Sequence, residues 1–325
     1  FRHVLAQEVA YASVTRETRR QVHARVARWL EAHAEEQTSS LIPMIAYHYE
    51  RGGVAGKAAE YLQRAGEQAA AQFANENAVD YFSRALALLE QAEQEPAQVQ
   101  ERRYALLLGR EGVYGLMGFR DLQATDLADL KALADEMDDD QHKAETALRY
   151  ADYYEAISDF PTALKAAQEA VQRAEQVTDQ HRKSEGLIAW AQALWRQGNI
   201  EDARRRLEEA LNLAHQHSDD PAEAKCMHHL GTISYIQGNY EAARDYLERA
   251  LTIRHALGNP LREASTLNNL VAVYHGLGDL GRAEECCECA LDIHRAIGYR
   301  WGEAHALDNL AAIRCALGDL VTARE

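Results

Sequence analysis

Three short stretches carry residue types that do chemistry in other settings. The first is Gly52-Gly53-Val54-Ala55-Gly56-Lys57-Ala58. A phosphate-cradling loop needs a longer gap before its Gly-Lys pair, a hydroxyl side chain after the lysine for magnesium, and a strand in front. Here three residues separate Gly52 from Gly56, Ala58 stands where the hydroxyl belongs, and the flanks read as helices. An inter-helix turn is expected. The second is Cys286-Cys287-Glu288-Cys289, and the third is His228-His229, with His215 and His217 nearby. A structural zinc site wants four converging ligands, and consecutive positions on one helix point in different directions. Neither cluster has further ligands with a reason to meet it, so no metal is expected. Asp138-Asp139-Asp140 reads as a solvated turn. No nucleophile–base pairing can be argued anywhere, and the chain is expected to be non-catalytic.

What must position these residues is helical. The composition is rich in Ala, Leu, Glu, Gln and Arg, with five prolines in 325 residues. That composition favours helix throughout. Lys plus Arg number 35 and Asp plus Glu 51, a formal net charge of −16. An acidic surface repels phosphate backbones, so direct nucleic-acid binding is not expected. No apolar run reaches the ~20 residues needed to cross a bilayer, which argues against a membrane protein. Leu41–Tyr47, the longest candidate, contains a proline. Five cysteines and no glycosylation sequon fit free thiols and a cytoplasmic setting. All three clustered cysteines are expected to be ordinary helix positions: Cys287 occupies the core position of Leu247 and Leu207, and Cys286 and Cys289 match Tyr246 and Arg249 as an exposed pair, for which oxidation sensitivity is the alternative reading.

A strict internal repeat governs most of the chain. Gly-Asn or Gly-Asp pairs fall at Gly198-Asn199, Gly238-Asn239, Gly278-Asp279 and Gly318-Asp319, a step of 40 residues each time. Ser158-Asp159 and Gly118-Phe119 extend the series backwards. The same step relates Ala163, Ala203, Ala243, Ala283 and Ala323, and relates Ala170, Ala210, Ala250 and Ala290. An apolar residue precedes each turn at Tyr150, Trp190, Leu230, Leu270 and Leu310. A second punctuation falls at Ser218-Asp219-Asp220-Pro221, Gly258-Asn259-Pro260 and Gly298-Tyr299. The glycine ends one helix in a left-handed conformation and the Asn or Asp caps the next. The alanines mark close helix approaches. Helix A of one unit is expected at about 224–237 and helix B at about 240–256. Each hairpin buries only one face alone, so neighbours must stack.

The pattern Leu230-Gly231, Tyr235, Gly238-Asn239-Tyr240, Ala243, Leu247, Ala250 resembles the tetratricopeptide repeat, in the longer-helix variety found in kinesin light chains. The resemblance implies an all-α fold, a right-handed α-solenoid of helical hairpins. It places units at about 104–143, 144–183, 184–223, 224–263 and 264–303, and an incomplete one at 304–325, within an array spanning 99–325. The first unit departs from the pattern at Gln123 and Lys131, so a distorted hairpin is expected there. Residues 37–98 read as a helical-hairpin region: Tyr47, Tyr49, Ala58, Tyr61, Leu62 and Ala65 suggest one hairpin, and Ala78, Tyr81, Phe82, Ala85 and Leu86 a further helix. Gln91–Gln98, with Pro96, is expected to be a kink between helical layers.

In such superhelices helix A lines the concave groove that receives partners. Carried over by position, the groove residues are Arg149, Asp152, Gln192, Trp195, Arg196, His229, Tyr235, Asn269, His275 and Asn309. Asn269 and Asn309, at equivalent sites, resemble a ladder that reads an extended backbone, since Asn both donates and accepts. The family's Lys/Arg carboxylate clamp is not matched. A protein or peptide partner, or a small-molecule inducer, is expected in this groove.

The front of the chain does not repeat. Phe1–Leu30 reads as two helices, the first with Val4, Leu5, Val9 and Ala10, the second an Arg-rich amphipathic helix with Val22, Val26, Trp29 and Leu30 inward. Phe1, His3, Leu5, Gln7-Glu8-Val9-Ala10-Tyr11, Arg19-Arg20, His23, Val26-Ala27, Leu30-Glu31 and Ala46-Tyr47-His48-Tyr49 resemble the junction between winged-helix domain and helical arm in bacterial STAND ATPases. The resemblance implies that residues 1–36 end a winged-helix domain, and that the chain is the sensing arm of a signal-transduction ATPase, cut at both ends. Its core would exchange ADP for ATP and oligomerise when the arm is engaged. ATP, ADP and magnesium belong only to that upstream core, and no cofactor is expected in this chain. A free-standing peptide-binding adaptor is the alternative.

Overall fold

The computed structural model describes residues 11–33, 38–90 and 95–318. The first helix expected at Val4–Ala10, residues 91–94 of the expected kink, and Asp319 and Ala323 of the last unit lie outside them. The chain forms two compact units, residues 1–138 and 139–325. Every described element is an α-helix.

The first unit holds α1 (Arg16–His33), α2 (Thr38–Arg51), α3 (Ala55–Ala71), α4 (Asn75–Leu89), α5 (Pro96–Met117) and α6 (Arg120–Met137), each packed on the next. Its core gathers Ile45, Tyr49, Leu62, Phe82 and Leu106. The Phe82 ring fills the space left by two missing side chains: a Cβ on Gly66 would stand 2.7 Å from it, and one on Gly109 2.8 Å. Gly52-Gly53-Val54 is a tight turn between α2 and α3, and Gly52 lies against the backbone of Ala24. Pro96 does not kink a layer but opens α5 at its first turn, where no amide hydrogen is needed.

Two sequence expectations change here. α1 does run for five turns, but it turns His23, Ala24 and Ala27 inward and leaves Val22 and Trp29 exposed. Small residues win because α1 lies close against the α2–α3 turn, as the Ala24–Gly52 approach requires. The hairpin α5–α6 forms despite its departures from the pattern, with a polar core in place of an apolar one. Gln123 is buried and donates to Glu111 at 2.7 Å, and Arg110 holds the buried Asp126 through two hydrogen bonds at 2.7 and 2.9 Å. Lys131 simply faces solvent.

The second unit is an α-solenoid of hairpins: α7 (Asp140–Ala156), α8 (Phe160–Gln176), α9 (Gln180–Arg196), α10 (Ile200–His217), α11 (Asp220–Ile236), α12 (Tyr240–Ala256), α13 (Pro260–Leu277), α14 (Leu280–Ala296) and α15 (Arg300–Leu317). Ala163, Ala203, Ala243 and Ala283 are fully buried at the crossings, with Leu207, Leu247 and Cys287 beside them. Gly231 takes Leu247 so closely that a Cβ would lie 2.7 Å from it. Leu230, Leu270 and Leu310 are buried, while the larger Tyr150 and Trp190 are half-buried.

Both turn series adopt the left-handed conformation. Gly238 has φ +77°, and Ser158 keeps φ +64° at the equivalent place. In the other series Thr178 sits at φ +55° where later repeats use Gly258 and Gly298. Side chains of Asp159, Asp179, Asp219, Asn239, Asn259 and Asp279 accept from the backbone amide three residues on. Each such cap is worth ~1 kcal/mol. Asn199 holds the same place without that bond. Capping by Asp219, with Pro221 in the first turn, starts α11 at Asp220, four residues before the expected position 224.

Candidate functional site

In the second unit α7, α9, α11, α13 and α15 approach one another directly, whereas α8, α10, α12 and α14 make no comparable approach among the described residues. The odd helices therefore line the tighter, inner side. Their facing side chains form polar rungs. Glu145 of α7 receives Arg182 of α9 at 3.1 Å and Arg149 of its own helix at 2.9 Å. Glu185 pairs with Lys225, and Glu155 with Arg196 at 2.9 Å. Gln192 meets His229 at 3.0 Å. The Asn269 amide reaches His228 at 3.2 Å and Thr232 at 3.1 Å.

Seven of the positions carried over by sequence fall in or beside these rungs or on the same face: Arg149, Asp152, Gln192, Arg196, His229, Asn269 and Asn309. Asn309 meets His305 of its own helix at 3.3 Å. Asp152 is exposed to solvent and no ion pair is recorded for it among the described residues. The groove walls nevertheless desolvate it and push its carboxyl up to about 6, against the pull of Arg149, Lys225 and Arg262. Trp195 packs half-buried against the hydrophobic core, under the Arg196 guanidinium at 5.1 Å. Tyr235 lies near the end of α11 against Tyr240, and His275 is exposed near the end of α13. Trp195 thus touches the rungs through Arg196, whereas no contact among the described residues joins Tyr235 or His275 to them.

Sequence reasoning missed Glu145, Arg182, Glu185, Lys225, Thr232, Arg254 and Arg262. His228 was weighed only as a metal ligand. The available signal was the 40-residue register applied to charge as well as to apolar residues. Arg254 stands where the two preceding repeats carry Ala174 and Ala214, both fully buried. It is buried as well; its Nη1 donates to the Arg262 carbonyl at 3.0 Å and to Thr266 at 2.5 Å, and lies 3.1 Å from His228 Nδ1. Burial, then the Arg262 charge, lower its pKa to about 10.

The same surroundings suppress protonation of the histidines. Burial, then Arg254, hold His228 well below the ordinary range. Burial, then Arg254, Arg262, Lys225 and Arg196, bring His229 down to about 3. Both rings are neutral at physiological pH.

The remaining chemical candidates resolve into structure. His215 pairs with Glu223 at 3.0 Å beside the α10–α11 turn. Cys287 is core. Cys286 is half-buried, not exposed as expected, because it packs against the cluster that holds Leu247 and Val271. Burial pushes its thiol up to about 12; Cys289, which is exposed, is raised also. Thiolate formation, which oxidation needs, is disfavoured at both. Among the described residues no three His, Cys, Asp or Glu side chains converge to hold a metal, and no helix is long and apolar enough to cross a membrane.

Residues 183–256 and 262–325 match the tetratricopeptide repeat. These two segments are tetratricopeptide repeats. With the helical hairpins around them, the repeats make the chain a protein-interaction scaffold. No curated protein matches the chain by sequence. Among solved structures, the apo form of RapI matches with TM-score 0.66 at 11% identity, over 86% of this chain and 99% of that one. A Rap protein complexed with competence and sporulation factor matches with TM-score 0.57 at 13% identity, over 94% and 99%. A signal transduction ATPase with numerous domains (STAND) from Pyrococcus horikoshii, with a tetratricopeptide repeat sensor, matches with TM-score 0.57 at 18% identity, over 94% and 51%. This chain thus spans about half the length of that protein. At these identities the repeats share a fold with their neighbours and nothing finer.

Proposed function

We propose that this chain is the sensor arm of a STAND-type ATPase, cytoplasmic and bacterial. The inner face of residues 139–325 takes a protein or peptide partner, or a small-molecule inducer. Its occupancy sets whether an upstream nucleotide-binding core stays closed. The observation that carries the binding half is a face of polar, solvent-reachable side chains on successive A helices, joined in rungs by Gln192–His229 and Asn269–His228. What supports the switch half is the non-repeat block ending at Tyr49, together with the fold shared across 94% of this chain with a STAND protein carrying a repeat sensor. The chain itself provides recognition, while the nucleotide and its magnesium belong upstream.

The test uses the full-length gene product loaded with a fluorescent ADP analogue. Deleting residues 139–325 is expected to change ADP release by roughly 5- to 150-fold, the usual range of coupling between sites. A product that holds no ADP, or whose release is indifferent to the deletion, overturns the switch. A second reading, a free-standing peptide adaptor, is favoured by the fold shared with a Rap protein complexed with competence and sporulation factor. That reading predicts peptide binding in a product without nucleotide.

A further inference from the structure

In the first unit α1 has little apolar surface with which to hold its place. Its buried apolar residues are Ala24 and Ala27, with Val26 and Leu30 half-buried. Two polar anchors supplement them. Near the end of α1, Glu31 accepts from Tyr49 of α2 and from Lys57 of α3, the latter at 2.8 Å. In the middle of α1, the buried His23 meets His48 of α2, Nδ1 to Nδ1 at 2.8 Å. The other ring nitrogen of His23, Nε2, lies 3.0 Å from the Tyr11 hydroxyl.

A bond between two imidazole nitrogens holds only while a single proton lies between them. Each neutral ring has one N–H and one lone pair, so one Nδ1 donates and the other accepts. The Tyr11 hydroxyl then serves His23 Nε2 as donor or acceptor accordingly. A first added proton goes to Nε2 of the donating ring, and the bond survives. A second places hydrogens on both Nδ1 atoms, so that two donors and two positive charges face each other. That contact cannot persist. The surroundings offer no relief. Tyr47 packs edge-on against both rings, Arg51 lies over Tyr47 at 5.6 Å, and Arg19 lies over Tyr11 at 4.9 Å. No carboxylate pairs with either histidine among the described residues. Burial, then His48, Arg51 and Arg19, lower the pKa of His23, and burial lowers that of His48.

We propose that the Tyr11–His23–His48 chain is an acid-released latch: two protons taken up by its histidines detach α1 from α2. The detached rings titrate at the ordinary 6.5 and the closed pair below it. The latch is therefore at full strength above pH 6.5 and weakens as pH falls. The Glu31 anchor works in a separate range. Burial pushes its carboxyl up, but hydrogen bonds from Lys57, Tyr49 and Tyr61 outweigh that and hold it below 4.5, so it stays ionised while the latch opens. The inference concerns the first unit alone and depends on no partner and no nucleotide.

The test is hydrogen–deuterium exchange of this chain at pH 7.5 and 5.5, corrected for intrinsic rates. The protection of α1 is divided by that of α3 in the same sample. At pH 5.5 each detached ring favours its charged form about tenfold, so the ratio is expected to fall by about 100-fold if the closed pair takes no proton and about tenfold if it takes one. The double variant His23→Gln, His48→Gln, whose amides can pair without titrating, is expected to change by less than about twofold. Arg51→Gln is expected to show a smaller fall than wild type, because its closed pair accepts the first proton more readily. A constant ratio in wild type, or equal losses from α1 and α3, overturns the proposal. So does a double variant that falls as far as wild type, or an undiminished fall in Arg51→Gln. Since Arg51 is exposed, its variant stays folded even where the double variant does not.

Discussion

Replacing His229 by Gln tests the electrostatics of the inner face directly. The His229 ring is held at about pKa 3 in the folded chain against an ordinary 6.5, by burial and then by Arg254, Arg262, Lys225 and Arg196. Below pH 6.5 the unfolded chain takes up a proton on this ring and the folded chain does not. The stability tied to this group is therefore fully present above pH 6.5 and drains away as pH falls toward 3. At pH 5.0 the ring lies 1.5 units below its ordinary value, which is worth about 2 kcal/mol at 1.36 kcal/mol per unit. His228 acts in the same sense and remains in the variant. Asp152, raised to about 6, acts in the opposite sense, and by less than its shift suggests because it is exposed. The assay is urea unfolding followed by tryptophan fluorescence, since Trp190 and Trp195 lie on the neighbouring α9. Wild type is expected to lose stability between pH 7.5 and 5.0, and His229→Gln to lose about 2 kcal/mol less. Gln still reaches Gln192, so packing is retained. Equal losses in the two proteins would refute the claim that the cationic groove suppresses protonation of this ring.

Two predictions concern the scaffold. Thr178→Gly is expected to raise stability by about 1 kcal/mol, because a β-branched residue at φ +55° carries a steric penalty that glycine escapes; a lowered urea midpoint would refute this. Gly66→Ala is expected to cost about 1–3 kcal/mol by driving a methyl into the Phe82 ring. Adding Phe82→Leu should recover part of that loss, and strictly additive costs in the double variant would contradict the packing described.

The solenoid was legible because its information is local and periodic. Left-handed turn residues, N-caps and crossing alanines recur every 40 residues, and each acts through its own few neighbours. α1 was misread for the opposite reason. Its apolar stripe, Val22 and Trp29, suggested one face, but the close approach of Ala24 to Gly52 fixed another, and that contact spans distant parts of the sequence. The α5–α6 hairpin kept its shape because Gln123 found Glu111 and Asp126 found Arg110, pairings that a propensity argument does not see. On the inner face, the register located Asn269, His229 and Gln192, but not the charge pattern. Arg254 reaches its partners from a B helix, so a reading restricted to A helices passed over it.

The rungs also bear on mechanics. Within a hairpin the two helices are locked by interdigitated apolar side chains such as Leu247 under Gly231, where no gap exists to give. Between successive A helices of residues 139–325 the ties are ion pairs and amide contacts open to solvent, each worth ~1 kcal/mol or less. The array is therefore stiff along each hairpin and compliant across the inner face, like a spring whose coils are rigid and whose spacing is set by weak clasps. Exchanging a clasp such as Glu185–Lys225 for a bond to a guest alters that spacing at almost no energetic cost. Raising ionic strength should slacken the same clasps before any core contact yields.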